Sequence, residues 1–365
     1  MKNTKKSWLA ILSASLFGCG GGGGGPFSGV PAALVVTTDY QSGALSLVEK
    51  ELAGVQKNIA VIHSDAVCRY DSVTKRPYVV SRYGADAVEV LDPKTFAVSK
   101  EYSTGSGSNP QDILPVSAER AYVSLYAENK LKVVHPTEGT ELGTVDLAGW
   151  ADRDGVPEAA WMEKVGERVF VALQRLENFA PSDRSSLLVL AAGTGKVEKE
   201  IALAATNPFG KIRYSKVLGK LVVAEMGFSG VQDGGVELVD PIALQPEGIC
   251  VSEGQLGGDV LDAVILDQTR GWAVVSIPKT QGGWEAKTQV VSFNPSTKSK
   301  TGTLLESEDF VHSLLELSPD GSQLWVTDRT LTAPGIRVFS TADGTELTQA
   351  PLDVGLPPFM VCFLD

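Results

Sequence analysis

The chain contains the stretch Leu317-Ser-Pro-Asp-Gly-Ser-Gln-Leu-Trp-Val-Thr-Asp328, in which two runs of β-forming residues flank a turn. Proline presets φ and glycine accepts positive φ, so the central Ser-Pro-Asp-Gly has the chemistry of a β-turn. The second run recurs as Leu34-Val-Val-Thr-Thr38, Tyr78-Val-Val-Ser-Arg82, Ala121-Tyr-Val-Ser-Leu125, Val169-Phe-Val-Ala-Leu173, Leu221-Val-Val-Ala-Glu225 and Trp272-Ala-Val-Val-Ser276. Successive copies start 44, 43, 48, 52, 51 and 52 residues apart, which fits four strands with their turns. The repeat predicts an all-β fold, a seven-bladed β-propeller.

The two ends of the repeat array complement each other. The first copy begins at Leu34 with the pattern of a second strand, and no inner strand precedes it. At the C-terminus, Phe359-Met-Val-Cys-Phe-Leu364 is an apolar strand that belongs to no other repeat. We expect the C-terminal strand to complete the first blade and close the ring, because closure removes exposed sheet edges.

The repeat resembles the YVTN-type β-propellers. The resemblance is carried by Leu317-Ser-Pro-Asp-Gly321 with Leu324-Trp-Val-Thr-Asp328, and by Leu91-Asp-Pro-Lys-Thr95 at the end of a third strand. It covers all seven repeats and implies the propeller fold. It implies little about activity, since that family includes mainly binding and scaffold proteins of diverse roles.

The N-terminus has the features of a targeting segment. Lysines precede the apolar stretch Trp8 to Phe17, which is too short to span a bilayer, and Leu16-Phe-Gly-Cys19 resembles a bacterial lipobox. The resemblance implies cleavage before Cys19 and its diacylation; the alternative is an ordinary secretory signal cleaved near the glycines. We therefore divide the chain into a signal peptide (1–18), a lipidated cysteine with a glycine-rich tether (19–31) and the propeller domain (32–365).

The residue after Cys19 is Gly20 rather than aspartate. By resemblance to the sorting rule of enteric bacteria, this favours a lipid-anchored protein of the outer membrane, on the periplasmic side or at the cell surface. Removal of residues 1–18, which carry three lysines, changes the formal net charge from −12 to −15. So acidic a body is a poor partner for nucleic acid or anionic lipid, both of which need basic patches.

Three cysteines remain besides Cys19, namely Cys68, Cys250 and Cys362. An odd number in an oxidising compartment leaves at least one free unless it pairs between molecules. Cys68 and Cys362 fall on innermost strands of adjoining blades, so a disulfide between them is conceivable. The alternative is that all three are buried thiols that act as small apolar groups.

Aromatic residues mark one face of the predicted ring as a binding surface. The second-to-third and fourth-to-first connections emerge on the same face, and the later second-to-third loops are long and carry Phe179, Phe228 and Trp284. Three tyrosines occupy one repeat position just past the second strand, namely Tyr40, Tyr83 and Tyr126. The alternative is that these rings fold back over blade edges or pack beneath the next loop.

Acids and histidines are expected near the mouth of the central channel. The entries to inner strands carry Asp65, Asp112, Glu158 and Asp259, with His63 and His312 near the same level. Convergent carboxylates, with Asp152-Arg-Asp154-Gly155 beside Glu158, could hold calcium, although the full calcium-loop pattern is absent. Such acids more often bind loop N–H groups or face water, so we assign no cofactor, no metal ligand and no catalytic residue.

The sequence therefore predicts a lipid-anchored, non-enzymatic propeller of the cell envelope that holds a protein or glycan partner on its looped face. One alternative is a factor in outer-membrane protein assembly. The count of seven blades argues against this alternative. The other is a metal-dependent hydrolase or lactonase in which His63 and His312 act with Asp65 or Asp259.

Overall fold

The computed structural model describes residues 30–182, 184–280 and 285–364. The predicted signal peptide, Cys19 and Trp284 lie outside these ranges. No helix in the described part of the chain has the length and apolar character needed to cross a bilayer.

The described strands form small antiparallel sheets that follow one another along the chain. Blade 1 begins with β1 (Pro31–Thr38), β2 (Gly43–Glu49) and β3 (Val55–Ile62). Blade 2 comprises β4 (Ala66–Asp71), β5 (Arg76–Ser81), β6 (Ala87–Leu91) and β7 (Val98–Ser103). Blade 3 comprises β8 (Pro110–Ser117), β9 (Arg120–Leu125), β10 (Lys130–Val134) and β11 (Glu141–Asp146). Blade 4 comprises β12 (Ala159–Val165), β13 (Arg168–Leu173), a hairpin of β14 (Leu176–Glu177) and β15 (Ala180–Pro181), then β16 (Ser186–Ala191) and β17 (Val197–Ala202).

The later blades repeat this order. Blade 5 comprises β18 (Arg213–Ser215), β19 (Lys220–Glu225), β20 (Gly235–Asp240) and β21 (Gln245–Ser252). Blade 6 comprises β22 (Asp259–Ile265), β23 (Gly271–Pro278), β24 (Ala286–Asn294) and β25 (Ser299–Ser307). Blade 7 comprises β26 (Leu315–Leu317), β27 (Gln323–Asp328) and β28 (Gly335–Ser340), and β29 (Pro358–Phe363) ends the chain. Helical segments are α1 (Glu253–Leu256) and two 3₁₀ turns (Lys50–Leu52 and Ala148–Trp150).

The predicted seven-bladed propeller is confirmed. The seven recurring runs of β-formers are the second strands β1, β5, β9, β13, β19, β23 and β27. They are buried almost throughout, because a strand near the axis is covered by a neighbouring blade on each face. Buried clusters accordingly lie between successive blades, as in the group of Trp325 and Val338 of blade 7 with Val35 and Val361 of blade 1.

The C-terminal strand closes the ring, as the sequence predicts. β29 pairs antiparallel with β1, with Leu34 opposite Cys362 and Val36 opposite Met360, so blade 1 has the order β29-β1-β2-β3. A disulfide joins Cys68 of β4 to Cys362 of β29, two cysteines separated by 294 residues. The question that the sequence left open is thus answered in favour of the bridge. Cys250 is free and buried, and burial raises the pKa of its thiol to about 12.

Two arginine–aspartate pairs tie the innermost strands together. Arg69 of β4 donates from Nε and Nη2 to both oxygens of Asp112 of β8, at 2.9 and 2.6 Å, and from Nη2 to the carbonyl of Met162 of β12 at 2.8 Å. Asp112 also accepts the Met162 N–H at 3.0 Å. Each pair therefore links three successive blades, and we call such an arrangement a clamp.

The second clamp repeats the geometry in blades 5, 6 and 7. Arg213 of β18 donates to both oxygens of Asp262 of β22, at 2.6 and 2.9 Å, and to the carbonyl of Leu315 of β26 at 2.7 Å. Asp262 accepts the Leu315 N–H at 3.0 Å. Both aspartates lie at irregularities of their strand pairing, which turn a carboxylate toward the next blade.

Breaking a clamp should be costly. Asp262→Ala removes the bidentate partner of the largely buried Arg213 guanidinium, which then keeps only its 3.3 Å pair with Glu316. We expect the free energy of unfolding to fall by about 3–5 kcal/mol. Chemical denaturation of the purified protein measures it. Lys57→Gln, which removes a pair whose side chains are 44 and 65 % exposed, should cost about 1 kcal/mol or less. Equal losses of unfolding free energy in the two variants would show that the clamp stabilises the fold no more than an exposed ion pair does.

Candidate binding face

One face of the ring carries the exposed aromatic side chains. Because strands alternate in direction, second-to-third loops and fourth-to-first loops emerge on the same side, which we call the aromatic face. Every aromatic side chain that is classed as exposed in the described residues lies in these loops: Tyr40, Tyr83, Phe179, Phe209, Phe228 and Phe310. Phe179 is 82 % exposed and Tyr83 75 %. A folded protein rarely leaves so many large rings uncovered on one side without a use.

Two cavities open side by side on the aromatic face. The first, about 420 Å³, lies over the axis and is lined by Tyr40, Tyr126, Trp161 and Phe359 among others. The second, about 400 Å³, lies over blades 4 to 6 and includes Met226, Phe228 and Asp259. Both share Phe179, Phe209, Leu261 and Phe310, so together they form one continuous groove.

The three predicted tyrosines have different environments. Tyr40 and Tyr126 line the first cavity, whereas Tyr83 stands outside both. The guanidinium of Arg329 lies 4.6 Å from the centre of the Tyr40 ring and donates to the Thr38 carbonyl at 3.0 Å, which holds the ring in place. Burial raises the pKa of the Tyr126 phenol, so its hydroxyl stays protonated at neutral pH.

The loop that carries Phe179 is braced from below by Glu158. This loop folds as the β14–β15 hairpin, and both Asn178 and Phe179 take positive φ at its tip. Glu158 is buried and accepts the N–H of Leu176 at 2.8 Å. Burial raises its pKa to about 8, although the N–H of Leu176 opposes that shift. Glu158 thus acts on the groove through the backbone of the loop.

Carboxylates of the neighbouring segment hold the loop that carries Phe228. Asp233 accepts the N–H of Phe228 at 3.0 Å, and Asp259 accepts that of Gly230 at 2.7 Å. Glu253 of α1 accepts the N–H of Gly234 at 2.8 Å. Burial raises the pKa of Asp259 and takes that of Glu253 to about 8. These acids shape the loop and leave its ring free.

The acids expected around the channel mouth do not converge on one point. Asp65 lines the first cavity and pairs with Arg82 at 2.5 Å, whereas Asp112 is buried in its clamp. Glu158 and Asp259 serve separate loops. In the described ranges, no three acidic, histidine or cysteine side chains are grouped closely enough to hold a metal ion.

The histidines named as an alternative catalytic pair lie apart from the groove lining. His312 is buried, its Nδ1 lies 3.3 Å from the Thr327 carbonyl, and burial lowers its pKa. The half-buried His63 contacts the backbone of Asp65 through its own Nδ1. Neither imidazole is among the residues that line the two cavities.

A third cavity, about 400 Å³, opens on the opposite face around Arg69, Lys211, Arg213 and Glu316. Its charges are largely engaged with one another, since Glu316 pairs with Lys211 at 3.1 Å and with Arg213 at 3.3 Å. The charges of this cavity therefore belong to the same network as the clamps, and we do not assign the cavity a role in binding.

Four residues of the groove lining are not predicted from the sequence: Phe209, Phe310, Phe359 and Trp161. The first three lie in or beside fourth-to-first connections, where no repeat motif draws attention to them. The sequence offers only a general signal for them. Both sets of loops emerge on the same face, so an aromatic residue in either set is a candidate for the groove lining. Trp161 lies in β12 and looked like core.

The fold places the chain among seven-bladed β-propellers. No protein-family model and no curated protein matches its sequence. Among solved structures, it is similar to a "putative 6-phosphogluconolactonase" from Bacteroides fragilis, with 13 % identity, 94 % of this chain and 100 % of that chain covered, and a TM-score of 0.61. Dihydro-heme d1 dehydrogenase NirN matches with 15 % identity, coverage of 92 and 76 %, and a TM-score of 0.59.

A protein described as functionally unknown, from Desulfotomaculum acetoxidans, matches with 12 % identity, coverage of 92 and 100 %, and a TM-score of 0.58. At these identities the likeness shows the fold alone, and the proteins named differ in what they do.

Glu158 should make stability depend on pH in a defined direction. Its folded pKa of about 8 exceeds the ordinary 4.5, so the folded protein keeps a proton that the unfolded chain releases, and its contribution to stability is lost as pH rises from about 4.5 to 8. Glu158→Gln keeps the acceptor for Leu176. It should be more stable than the parent by roughly 2–4 kcal/mol at pH 8 relative to the difference at pH 5.

Denaturation curves at both pH values measure this change. Glu119→Gln, at an exposed position in the β8–β9 turn, is the control and should follow the parent at both pH values. A Glu158→Gln curve that tracks the parent across the range would contradict the protonated state of Glu158.

Proposed function

We propose that the protein is a binding module of the bacterial cell envelope, anchored by lipid at Cys19, that holds a protein or glycan partner on its aromatic face. The observation that carries the proposal is the continuous groove in which Tyr40, Tyr126, Phe179, Phe228 and Phe310 take part. Aromatic rings that protrude from loops on a rigid ring are typical of contact surfaces, because each contributes a large apolar area at little cost in conformational freedom.

The disulfide supports the extracytoplasmic location. Cys68–Cys362 joins strands of the ring's core, and such structural disulfides persist in oxidising compartments. This agrees with the leader and lipobox-like sequence before Cys19. An anchored protein with its groove on a folded domain could retain a partner near the membrane.

The groove favours binding over catalysis. Its lining contains one ion pair, Asp65 with Arg82, and the imidazole of His312 is buried outside it. A hydrolase would need a general base within reach of a bound substrate, and the two carboxylates of the lining are engaged, Asp65 with Arg82 and Asp259 with the Gly230 N–H. Large apolar area with few polar groups is the composition of a recognition surface.

Lipidation at Cys19 can be tested directly. In cells of the source bacterium, the tagged protein should sediment with membranes and incorporate a palmitate analogue, because a diacylated cysteine anchors stably. Cys19→Ser should abolish labelling and move the protein out of the membrane fraction, whereas Cys250→Ala should change neither. Unchanged labelling in Cys19→Ser would remove the anchor from the proposal.

Partner retention should depend on the groove. The tagged full chain, solubilised from membranes in detergent, should retain a stoichiometric partner that is lost by at least about 10-fold in the double variant Phe179→Ala with Phe310→Ala. Ile242→Ala is the control, since Ile242 is also an exposed apolar residue but lies in the β20–β21 turn on the opposite face. Quantitative mass spectrometry and glycan analysis of the eluates measure both kinds of partner. Equal retention by all three proteins would exclude the groove.

A further inference from the structure

Carboxylates without partners stand beside two exposed rings of the groove. Glu177 precedes Phe179 by two residues, Asp309 directly precedes Phe310, and all four side chains are exposed. Neither carboxylate forms an ion pair or accepts a hydrogen bond from any other described residue. The negative charge at these positions is therefore available to a ligand.

Two arginines beside the first cavity, Arg82 and Arg329, are already engaged. Arg82 donates to Asp65 at 2.8 Å and lies 5.4 Å from the centre of the Phe359 ring. Arg329 directs its guanidinium to backbone carbonyls and to the Tyr40 ring. A ligand in the groove thus meets apolar rings beside two unpaired carboxylates, and the complementary ligand is apolar with positive charge beside it.

The polar groups of the groove floor are largely bonded within the protein. Gln174 donates from Nε2 to the Pro208 carbonyl at 3.2 Å, and Trp161 donates from Nε1 to that of Phe209 at 3.3 Å. Gln111 donates to the Asn109 side chain at 2.9 Å. A sugar needs partners for many hydroxyls, and buried hydroxyls without partners are costly. Apolar side chains need none, so the floor favours a polypeptide over a glycan.

The shape of the groove also suits an extended chain. The two cavities adjoin at Phe179, Phe209 and Phe310, which line both, and this gives two apolar subsites. Tyr83 extends the aromatic surface beyond both of them. A compact small molecule would occupy one subsite and leave the outer rings uncovered, whereas successive side chains of a peptide would cover both.

We propose that the groove binds an extended polypeptide segment in which aromatic or aliphatic side chains are flanked by Lys or Arg. This rests on the proposed function of the aromatic face. Apolar side chains fill the two subsites, and the flanking cations approach Glu177 and Asp309.

The test uses the full-length protein in detergent to select from a phage library of random 12-residue peptides, followed by fluorescence anisotropy with the enriched peptides. We expect enrichment of apolar residues with Lys or Arg within a few positions, and affinity that falls as salt rises from 50 to 500 mM. Glu177→Gln combined with Asp309→Asn should weaken binding about 10-fold. Phe179→Ala combined with Phe310→Ala should abolish it.

Matched controls separate the groove from the acidic surface in general. Glu119→Gln with Glu167→Gln removes two exposed carboxylates on the opposite face and should leave affinity unchanged. Enrichment of acidic peptides, no enrichment at all, or affinity indifferent to Glu177 and Asp309 would overturn the proposal. If the cellular partner is still lost from the Phe179 and Phe310 variant while peptides fail, the binding face stands and its ligand is a glycan or a folded surface.

Discussion

Closure of the ring by β29 is the constraint on which the rest of the structure depends. Each blade buries its faces against its neighbours, so an open ring would expose two blade faces and two strand edges to water. β29 prevents this by pairing with β1, while the Cys68–Cys362 bridge ties it to blade 2 and the Trp325–Phe363 contact, 5.0 Å between ring centres, ties it to blade 7. Because the bridge encloses most of the chain, it also restricts the unfolded state strongly. The groove inherits this rigidity, since Phe359 is part of the closing strand.

Two buried acids, Glu225 of β19 and Glu237 of β20, lie under the groove. Burial raises the pKa of Glu225 and Glu237, and that of Glu225 lies well above its usual range. Burial and the charge of the neighbouring Glu237 favour the protonated form of Glu225, and Glu237 accepts the Ala204 N–H at 2.7 Å. Both carboxyls lie directly below the loop that carries Phe228, where two buried negative charges would repel each other. The two clamps hold strands in register where apolar packing alone would permit sliding.

The sequence predicts the fold well because the fold follows from periodic, local patterns. The seven second strands, the turn at Ser318 to Gly321 and the unpaired strands at the two ends need no knowledge of distant contacts. The clamps were missed because Arg69 and Asp112 lie 43 residues apart and meet only once the blades are stacked. For the same reason Asp112 was assigned to the channel mouth, although its role in the structure is to bind arginine. The sequence predicts the aromatic face but only part of the groove lining, because Phe209 and Phe310 lie in loops that carry no repeat motif.

Stability requires side chains that are buried and paired, whereas recognition requires side chains that are exposed and free. The molecule places these two kinds of residue in different regions. Residues that fix the ring are buried and paired within it, as Asp262 is with Arg213, so they have little left to offer a ligand. Phe179 and Phe310 lie in loops with their rings exposed, so these rings contribute little to folding and leave apolar area available. Exposed aromatic rings invite self-association, and a carboxylate next to each ring opposes it by repulsion between like surfaces. The same charges that keep two copies apart then select a cationic partner, which makes solubility and specificity consequences of one arrangement.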